Sequence, residues 1–97
     1  MESTNKKVIV RGTNSGVFFG ELAGRNGQEV ELANCRKLWF WSGAASLHQL
    51  AAEGVKHPQS CKFTMSVASV TILDAIEIIP CTDVAIANIE GVRPWRI

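Results

Sequence analysis

Apolar and polar side chains alternate over short stretches in the first third of the chain, which is the pattern of β-strands. Residues 7–13 and 17–22 are rich in β-branched and aromatic side chains, and Asn14–Ser15–Gly16 between them predicts a hairpin turn. Asn26–Gly27 tolerates positive φ at both central positions of a tight turn, and alternation resumes at residues 29–32. We therefore expect a second hairpin and three consecutive strands.

The third predicted strand places its two tryptophans opposite its aliphatic residues. Successive side chains of a strand point to opposite faces, so Trp39 and Trp41 share one face, whereas the other carries Val30, Leu32, Leu38 and Phe40. A bulge at Asn34–Cys35 would shift this register. A sheet that exposed two tryptophans would present a large apolar patch, so we expect the second helix, another subunit or a ligand to cover them.

Residues 42–54 predict a short helix, because apolar or small residues recur on one helical face at Leu47, Leu50, Ala51 and Gly54. The sequence offers two N-caps for this helix. Ser42 would cap it directly after the strand, or Ser46 would do so with Gln49 in a capping box. Gly54 is a typical helix stop.

The second half of the chain predicts one or two strands and another helix. Phe63, Met65 and Val67 alternate with polar residues, and a change of phase at Ala68–Ser69 predicts a bulge or a break between strands. The remaining predicted elements are a strand over residues 74–81, a helix from Thr82–Asp83 to Gly91 and an extended tail at residues 94–97. The sum is an α+β fold: an antiparallel sheet of about five strands and two short helices, in the order β-β-β-α-β-β-α.

Length and composition favour a single domain over residues 1–97, with residues 1–5 frayed. The chain has 97 residues, of which 46% are hydrophobic, and a formal net charge of +1. So small a charge excludes a field that would concentrate duplex DNA over the whole surface, and we do not expect nucleic acid as a partner. The three cysteines are an odd number without paired spacing, which favours a protein of the reducing cytoplasm over one with a disulfide framework. No apolar run is long enough to span a membrane.

The candidate site lies where the third strand meets the first helix. A helix start has unpaired N–H groups and partial positive charge, and Gly43 beside Ser42 would let a phosphate approach the backbone. Arg36 would add a bidentate fork of donors, and an indole would stack on a nucleobase. These features predict a site for a small anionic nucleotide, formed by Arg36, Trp39, Trp41, Ser42, Gly43 and Ser46.

A purely structural role explains the same residues. Serine and glycine are ordinary at helix starts, and paired tryptophans on a strand are more often core or subunit interface than ligand shelf. A homo-oligomer with ligand at the subunit seam would satisfy both interpretations.

Catalytic and metal-binding arrangements are weak in this sequence. His57 and Cys61, joined by Cys35 or His48, make a nominal metal set, but no paired ligand spacing supports it. Asp74 and Glu77 fall on opposite faces of a strand, which excludes an acid and base pair. We therefore expect neither an enzyme nor a cofactor or metal.

Residues 16–21, 33–47, 50–55 and 77–82 resemble a family of small, largely uncharacterised phage and prophage proteins. The resemblance centres on Arg-x-Leu-Trp-x-Trp-Ser-Gly-Ala-Ala-Ser-Leu, which begins at Arg36. It implies expression from a phage genome in the cytoplasm of a bacterial host, where small accessory proteins often counter host defences, and it implies no reaction.

Our leading hypothesis is a non-enzymatic, homo-oligomeric counter-defence protein that sequesters a nucleotide signal, such as a cyclic oligonucleotide or a cyclic ADP-ribose isomer. Arg36 and the Ser42–Gly43 backbone would hold phosphate, and Trp39 or Trp41 the base. The alternative is a protein-interaction module that inhibits or adapts a host or phage protein through the same tryptophans, since interface anchors are enriched in Trp and Arg.

Overall fold

Six strands and two helices make up the described part of the chain, which is residues 6–97 of a computed structural model. The α+β class and the predicted order are confirmed, with one additional two-residue strand, β4. The prediction of fraying at residues 1–5 lies outside the described residues. The elements are β1 (Lys7–Gly12), β2 (Val17–Asn26), β3 (Glu29–Phe40), α1 (Leu47–Glu53), β4 (Lys62–Phe63), β5 (Val67–Ile72), β6 (Ala75–Pro80) and α2 (Asp83–Glu90).

The sheet is antiparallel and has the strand order β4-β3-β2-β1-β6, with β5 also paired to β3. Both predicted hairpins are confirmed. The β1–β2 turn covers residues 13–16, and the β2–β3 turn contains Gly27 at φ 62°, as the Asn-Gly pair predicts. Strand β3 is long enough to hold two partners on one edge: β5 lies along its first half and β4 along its second.

A bulge in β3 confirms the predicted shift of register and decides which way its side chains point. Glu21 pairs with Ala33 whereas Phe19 pairs with Arg36, so β3 contains one extra residue between these pairs. Asn34 accommodates the bulge at φ 49°. The expectation that Leu32 and Leu38 share a face is therefore wrong, because the bulge inverts the alternation between them.

Two apolar cores lie on opposite faces of the sheet. The helix-side core is covered by α1 and α2 and contains Ile9, Phe19, Leu38, Leu50, Ala51, Val55, Phe63, Ala85, Ile89 and Val92. The strand-only core takes its buried residues from the strands alone: Val8, Val10, Phe18, Val30, Leu32, Cys35, Ile72 and Ala75. Adjacent residues such as Phe18 and Phe19 alternate between the two cores, as the period of a strand requires.

The caps of the two helices settle where each begins and ends. Ser46 caps α1 by accepting a bond from the Gln49 N–H, so the second of the two predicted caps is confirmed and Ser42 is not the cap. Thr82 caps α2 in the same way through the Ala85 N–H. The predicted stops at Gly54 and Gly91 are confirmed.

The predicted strand around Met65 is wrong in its burial and its break. Phe63 is fully buried, but Met65 and Val67 are exposed. The chain leaves the sheet at residues 64–66, whereas β5 runs unbroken through Ala68–Ser69. The alternation does not predict burial here, because Phe63 belongs to β4 and Val67 to β5. The side chains of two separate strands need not keep one common alternation.

Candidate functional site

Arg36 is buried beneath β4 and the end of α2, with only 5% of its surface exposed. Its guanidinium donates hydrogen bonds to four backbone carbonyl oxygens, so four of its five N–H groups are used within the protein. The acceptors are the oxygens of Thr64 (2.9 Å), Ile89 (3.0 Å), Val92 (2.9 Å) and Phe63 (3.3 Å). The guanidinium carbon also lies 5.5 Å from the centroid of the Phe63 ring.

The environment of Arg36 corrects the expectation that this residue binds a ligand phosphate. Burial lowers the pKa of the guanidinium, but the carbonyl oxygens compensate for the lost water. Ile89 lies in the last turn of α2, where the helix carries partial negative charge that favours a cation. Arg36 therefore connects α2 and the chain after it to β4, as a structural residue.

Ser42 and Gly43 form a closed loop contact instead of an anion cradle. The Gly43 oxygen accepts a bond from the Lys56 N–H at 3.2 Å, and the Ser42 oxygen accepts one from the His57 N–H at 3.3 Å. Gly43 has φ 100°, and a Cβ there would lie 2.4 Å from the Lys56 nitrogen. Glycine is thus required by the close approach of two loop segments, and the space expected for a phosphate is occupied by the chain.

The start of α1 is also satisfied internally. Ser46 Oγ accepts from the Gln49 N–H at 3.1 Å, and Gln49 Oε1 accepts from the Ala45 N–H at 2.8 Å. The helix has seven residues and begins at Leu47, well after Ser42. The predicted grouping of Ser42, Gly43 and Ser46 around one helix terminus is therefore wrong.

The two predicted tryptophans are placed differently. Trp41 follows the end of β3, is half-buried and packs against the helix-side core. Trp39 is 58% exposed and stacks against Trp95, which is 49% exposed, with ring centroids 6.3 Å apart and planes within 7°. Trp95 was not singled out from the sequence. A tryptophan between Pro94 and Arg96 in an extended tail was its only signal.

Two lysines flank the tryptophan pair. Lys37 Nζ lies 6.0 Å from the Trp39 ring centroid and 5.5 Å from that of Phe18, and Lys62 Nζ lies 5.4 Å from that of Trp95. An ammonium over an aromatic face is attracted by the negative charge of that face. We call this surface, formed by Lys37, Trp39, Lys62 and Trp95, the aromatic ridge.

The ridge joins residues from distant parts of the chain. The backbone N–H of Trp95 donates to the Phe63 carbonyl oxygen at 2.7 Å, and Pro94 forms a parallel β-bridge with Phe63. These contacts hold Trp95 in place. Arg36 binds the oxygens of both Phe63 and Val92, so it fixes the base of this segment from the opposite face of the sheet. The buried arginine is therefore a positioning residue for the exposed indole.

Each indole of the ridge lines its own cleft. Trp39 lines a cleft of about 330 Å³ together with Trp41, Lys37 and Ser15. Trp95 lines one of about 460 Å³ together with Arg93 and Gln59. Among the described residues that line these two clefts there is a cation in each and no carboxylate. Both volumes fall within the range of small-molecule sites.

Other reactive side chains lie apart from the ridge. Burial raises the pKa of the Cys35 and Cys81 thiols to about 11, so neither is a ready nucleophile. Glu77 accepts from His48 and Arg11, at 3.1 Å each. Within residues 6–97, no three His, Cys, Asp or Glu side chains are grouped so that they could hold a metal ion. No helix of that part is long and apolar enough to cross a membrane.

Comparison with known proteins assigns the chain to a family without adding a function. No curated protein and no solved structure matches it. Residues 5–89, which include Lys37, Trp39 and Lys62 of the ridge but not Trp95, match one family. The chain belongs to that family, which is described as a domain of unknown function (DUF6948).

Proposed function

We propose that this protein is a non-enzymatic binding protein for an anionic nucleotide ligand and that the aromatic ridge is its binding surface. The observation that carries the proposal is the exposed Trp39–Trp95 stack with a lysine ammonium over each indole. Indole faces stack on nucleobases, at about 1–3 kcal/mol per base, and lysine supplies positive charge for phosphates.

The exposure of the ridge supports a ligand role over a role in folding. Trp39 and Trp95 each leave about half of their surface in water, which a core residue does not do. The lysines have no carboxylate partner among the described salt bridges, which involve Lys7, Arg11 and His48. Their charges are thus available to a ligand, and the phosphate-binding role passes from Arg36 to Lys37 and Lys62.

The biological setting of this proposal is the one that the family resemblance implies. A phage protein in the cytoplasm of a bacterial host could act by sequestering a nucleotide signal, such as a cyclic oligonucleotide or a cyclic ADP-ribose isomer. Sequestration needs a binding surface and no catalytic group, which fits the ridge. A second copy of the chain placed against the ridge would enclose the ligand in a homo-oligomer.

The test is a fluorescence and thermal-shift titration with a panel of cyclic dinucleotides, linear dinucleotides and ADP-ribose derivatives. A nucleotide that stacks on the ridge quenches tryptophan emission and raises the melting temperature. Trp39→Ala and Lys37→Ala should weaken that response at least about tenfold, a loss of about 1.4 kcal/mol. The matched controls are Val84→Ala, an exposed apolar residue of α2 that lines neither cleft, and Lys56→Ala, an exposed lysine outside the ridge.

A protein-interaction module is the second candidate, favoured by the exposure of Phe40 (49%) next to Trp39 in β3. Three large aromatic side chains in water, counting Trp95, are typical anchors of a protein interface. If no nucleotide in the panel changes emission or melting, and Trp39→Ala alters the sedimentation of the protein alone, the ridge is an interface between protein chains.

A further inference from the structure

We infer that the ligand of the ridge contains at least two nucleotides joined by a phosphodiester, with one base on each indole. This inference rests on the proposed function and specifies its ligand. Its starting point is that the ridge is double: Trp39 has Lys37 at 6.0 Å and Trp95 has Lys62 at 5.4 Å. One base and one phosphate would use only half of it.

The two halves of the ridge open into separate clefts. The Trp39 cleft and the Trp95 cleft hold about 330 and 460 Å³, and neither indole lines the other's cleft. A mononucleotide placed in either cleft leaves the other indole in water. A ligand that reaches both must carry two aromatic groups on a connecting chain, and a phosphodiester is the connection that the cationic surroundings favour.

The spacing of the indoles indicates a single strand in place of a duplex. The ring centroids are 6.3 Å apart and the planes are within 7° of parallel. Because the indoles stack on each other, only their outer faces are open to bases, and two bases placed there have both rings between them. They are therefore farther apart than the roughly 3.4 Å rise of neighbouring duplex bases. A single-stranded or cyclic dinucleotide can separate its bases in this way, whereas paired bases cannot.

The distribution of charge agrees with a phosphodiester between the clefts. Lys37 lines the Trp39 cleft and Arg93 the Trp95 cleft, and no described lining residue of either is acidic. The groove beside β6 differs, since Glu77 lines it together with Arg25. The chain as a whole has a net charge of only +1, but the surface around the two indoles is basic and aromatic. Such a local surface can bind a single strand without a strong positive charge over the whole protein.

The test compares ligands of increasing length on the full chain: thymidine 5′-monophosphate, the linear dinucleotide pTpT, a linear tetranucleotide, a cyclic dinucleotide and a duplex. We expect pTpT to bind at least about tenfold more tightly than the monophosphate, as a second stacked base provides. Trp39→Ala and Trp95→Ala should each reduce pTpT to the affinity of the monophosphate. Val84→Ala, at an exposed position of α2 that lines neither cleft, should leave the ratio unchanged.

The outcomes separate the inference from the function on which it rests. Equal affinity for the monophosphate and pTpT, or loss of pTpT binding in only one of the two tryptophan variants, overturns the inference and leaves nucleotide binding intact. No response to any nucleotide overturns the proposed function itself. If the cyclic dinucleotide binds most tightly, the ligand is a small nucleotide signal. If the tetranucleotide binds most tightly, the ligand is a linear strand. Both outcomes support the inference.

Salt dependence gives an independent measurement. Salt screens the attraction between a lysine and a phosphate, so pTpT binding should weaken as salt is raised. Lys37→Ala and Lys62→Ala should each reduce this salt dependence, and Lys56→Ala should not. A salt dependence of pTpT binding that neither ridge lysine alters would contradict a phosphodiester lying along the ridge.

Discussion

Arg36 and Lys37 are adjacent cations on opposite faces of β3, and the protein uses them in opposite ways. Arg36 is buried and donates to four backbone carbonyls, whereas Lys37 lies over the exposed Trp39 indole and the buried Phe18 ring. The comparison shows that the partners on each face decide the role of a charge. Carbonyl groups at a helix end make one cation structural, and an open aromatic surface leaves its neighbour available.

The largest expected effect on stability is at Arg36, on the helix-side face of β3. Arg36→Met removes donors from four buried carbonyl oxygens, so we expect a loss of about 3–5 kcal/mol in the free energy of unfolding, measured by urea titration. Lys37→Met should cost no more than about 1 kcal/mol, because the ammonium makes only cation–π contacts, with Trp39 and Phe18.

Arg36→Lys refines the result if the methionine variant does not fold. Lysine keeps the charge but has three donors on a point-like group, so an intermediate loss is expected. Equal stability losses at positions 36 and 37 would contradict the division between the two faces.

A smaller effect is expected at the loop contact that follows β3. Gly43→Ala forces a Cβ against the Lys56 nitrogen and adds strain at φ 100°, which should cost about 1–3 kcal/mol in urea unfolding. Gly24→Ala is the control, because a Cβ there meets nothing within 4 Å. A stable Gly43→Ala protein with weakened nucleotide binding would show that Ser42–Gly43 belongs to the outer, ligand-binding surface after all.

The stacked indoles should contribute little to folding. Trp39→Ala and Trp95→Ala are expected to show a coupling of about 0.5–1.5 kcal/mol in a double-mutant cycle, the range of aromatic pairs. A coupling well above this range would make the pair part of the core and remove the contrast in exposure on which the proposed function depends.

The weakest effect is a dependence on pH at the edge of the Trp39 cleft. Asp74 accepts bonds from the Ser15 hydroxyl and from the N–H groups of Asn14 and Ser15, which lowers the pKa of its carboxyl group. A lowered pKa stabilises the fold above the ordinary aspartate range and loses that contribution as the pH falls through the folded pKa. Arg36, by contrast, stays protonated throughout the acidic range.

The corresponding measurement is the urea midpoint between pH 6 and pH 2.5 for the natural protein and for Asp74→Asn. The variant should be less stable at pH 6 and should lose less stability in acid. Glu77, whose pKa is lowered by His48 and Arg11, acts in the same direction in both proteins and so cancels in the comparison. Parallel acid profiles would show that Asp74 does not hold the turn beside the cleft.

Local signals in the sequence predicted most of the fold. The Asn-Gly turn, the caps Ser46 and Thr82 and the bulge at Asn34–Cys35 act over a few residues and are readable from spacing. The pairing of β3 with both β4 and β5 cannot be predicted in this way, because the paired residues lie 22 to 42 positions apart in the sequence. This is why Met65 and Val67 were assigned to a buried face.

The site was predicted in part for the same reason. Trp39 is exposed, but the predicted face is wrong in part, because the bulge inverts the alternation before it and Phe40, expected on the core face, is 49% exposed. Arg36 was misassigned because its partners, from Phe63 to Val92, follow it by 27 to 56 residues. Trp95 reaches Trp39 only through the same long-range contacts, so no short motif could have paired them.

The extra residue at Asn34 has a consequence for how the molecule unfolds. On β3, Val30 and Leu32 before the bulge and Cys35 after it belong to the strand-only core, whereas Leu38 belongs to the helix-side core. One continuous strand thus contributes side chains to both cores, so unfolding of either half of β3 disrupts the other half. We therefore expect both cores to be lost together, in one cooperative unfolding transition.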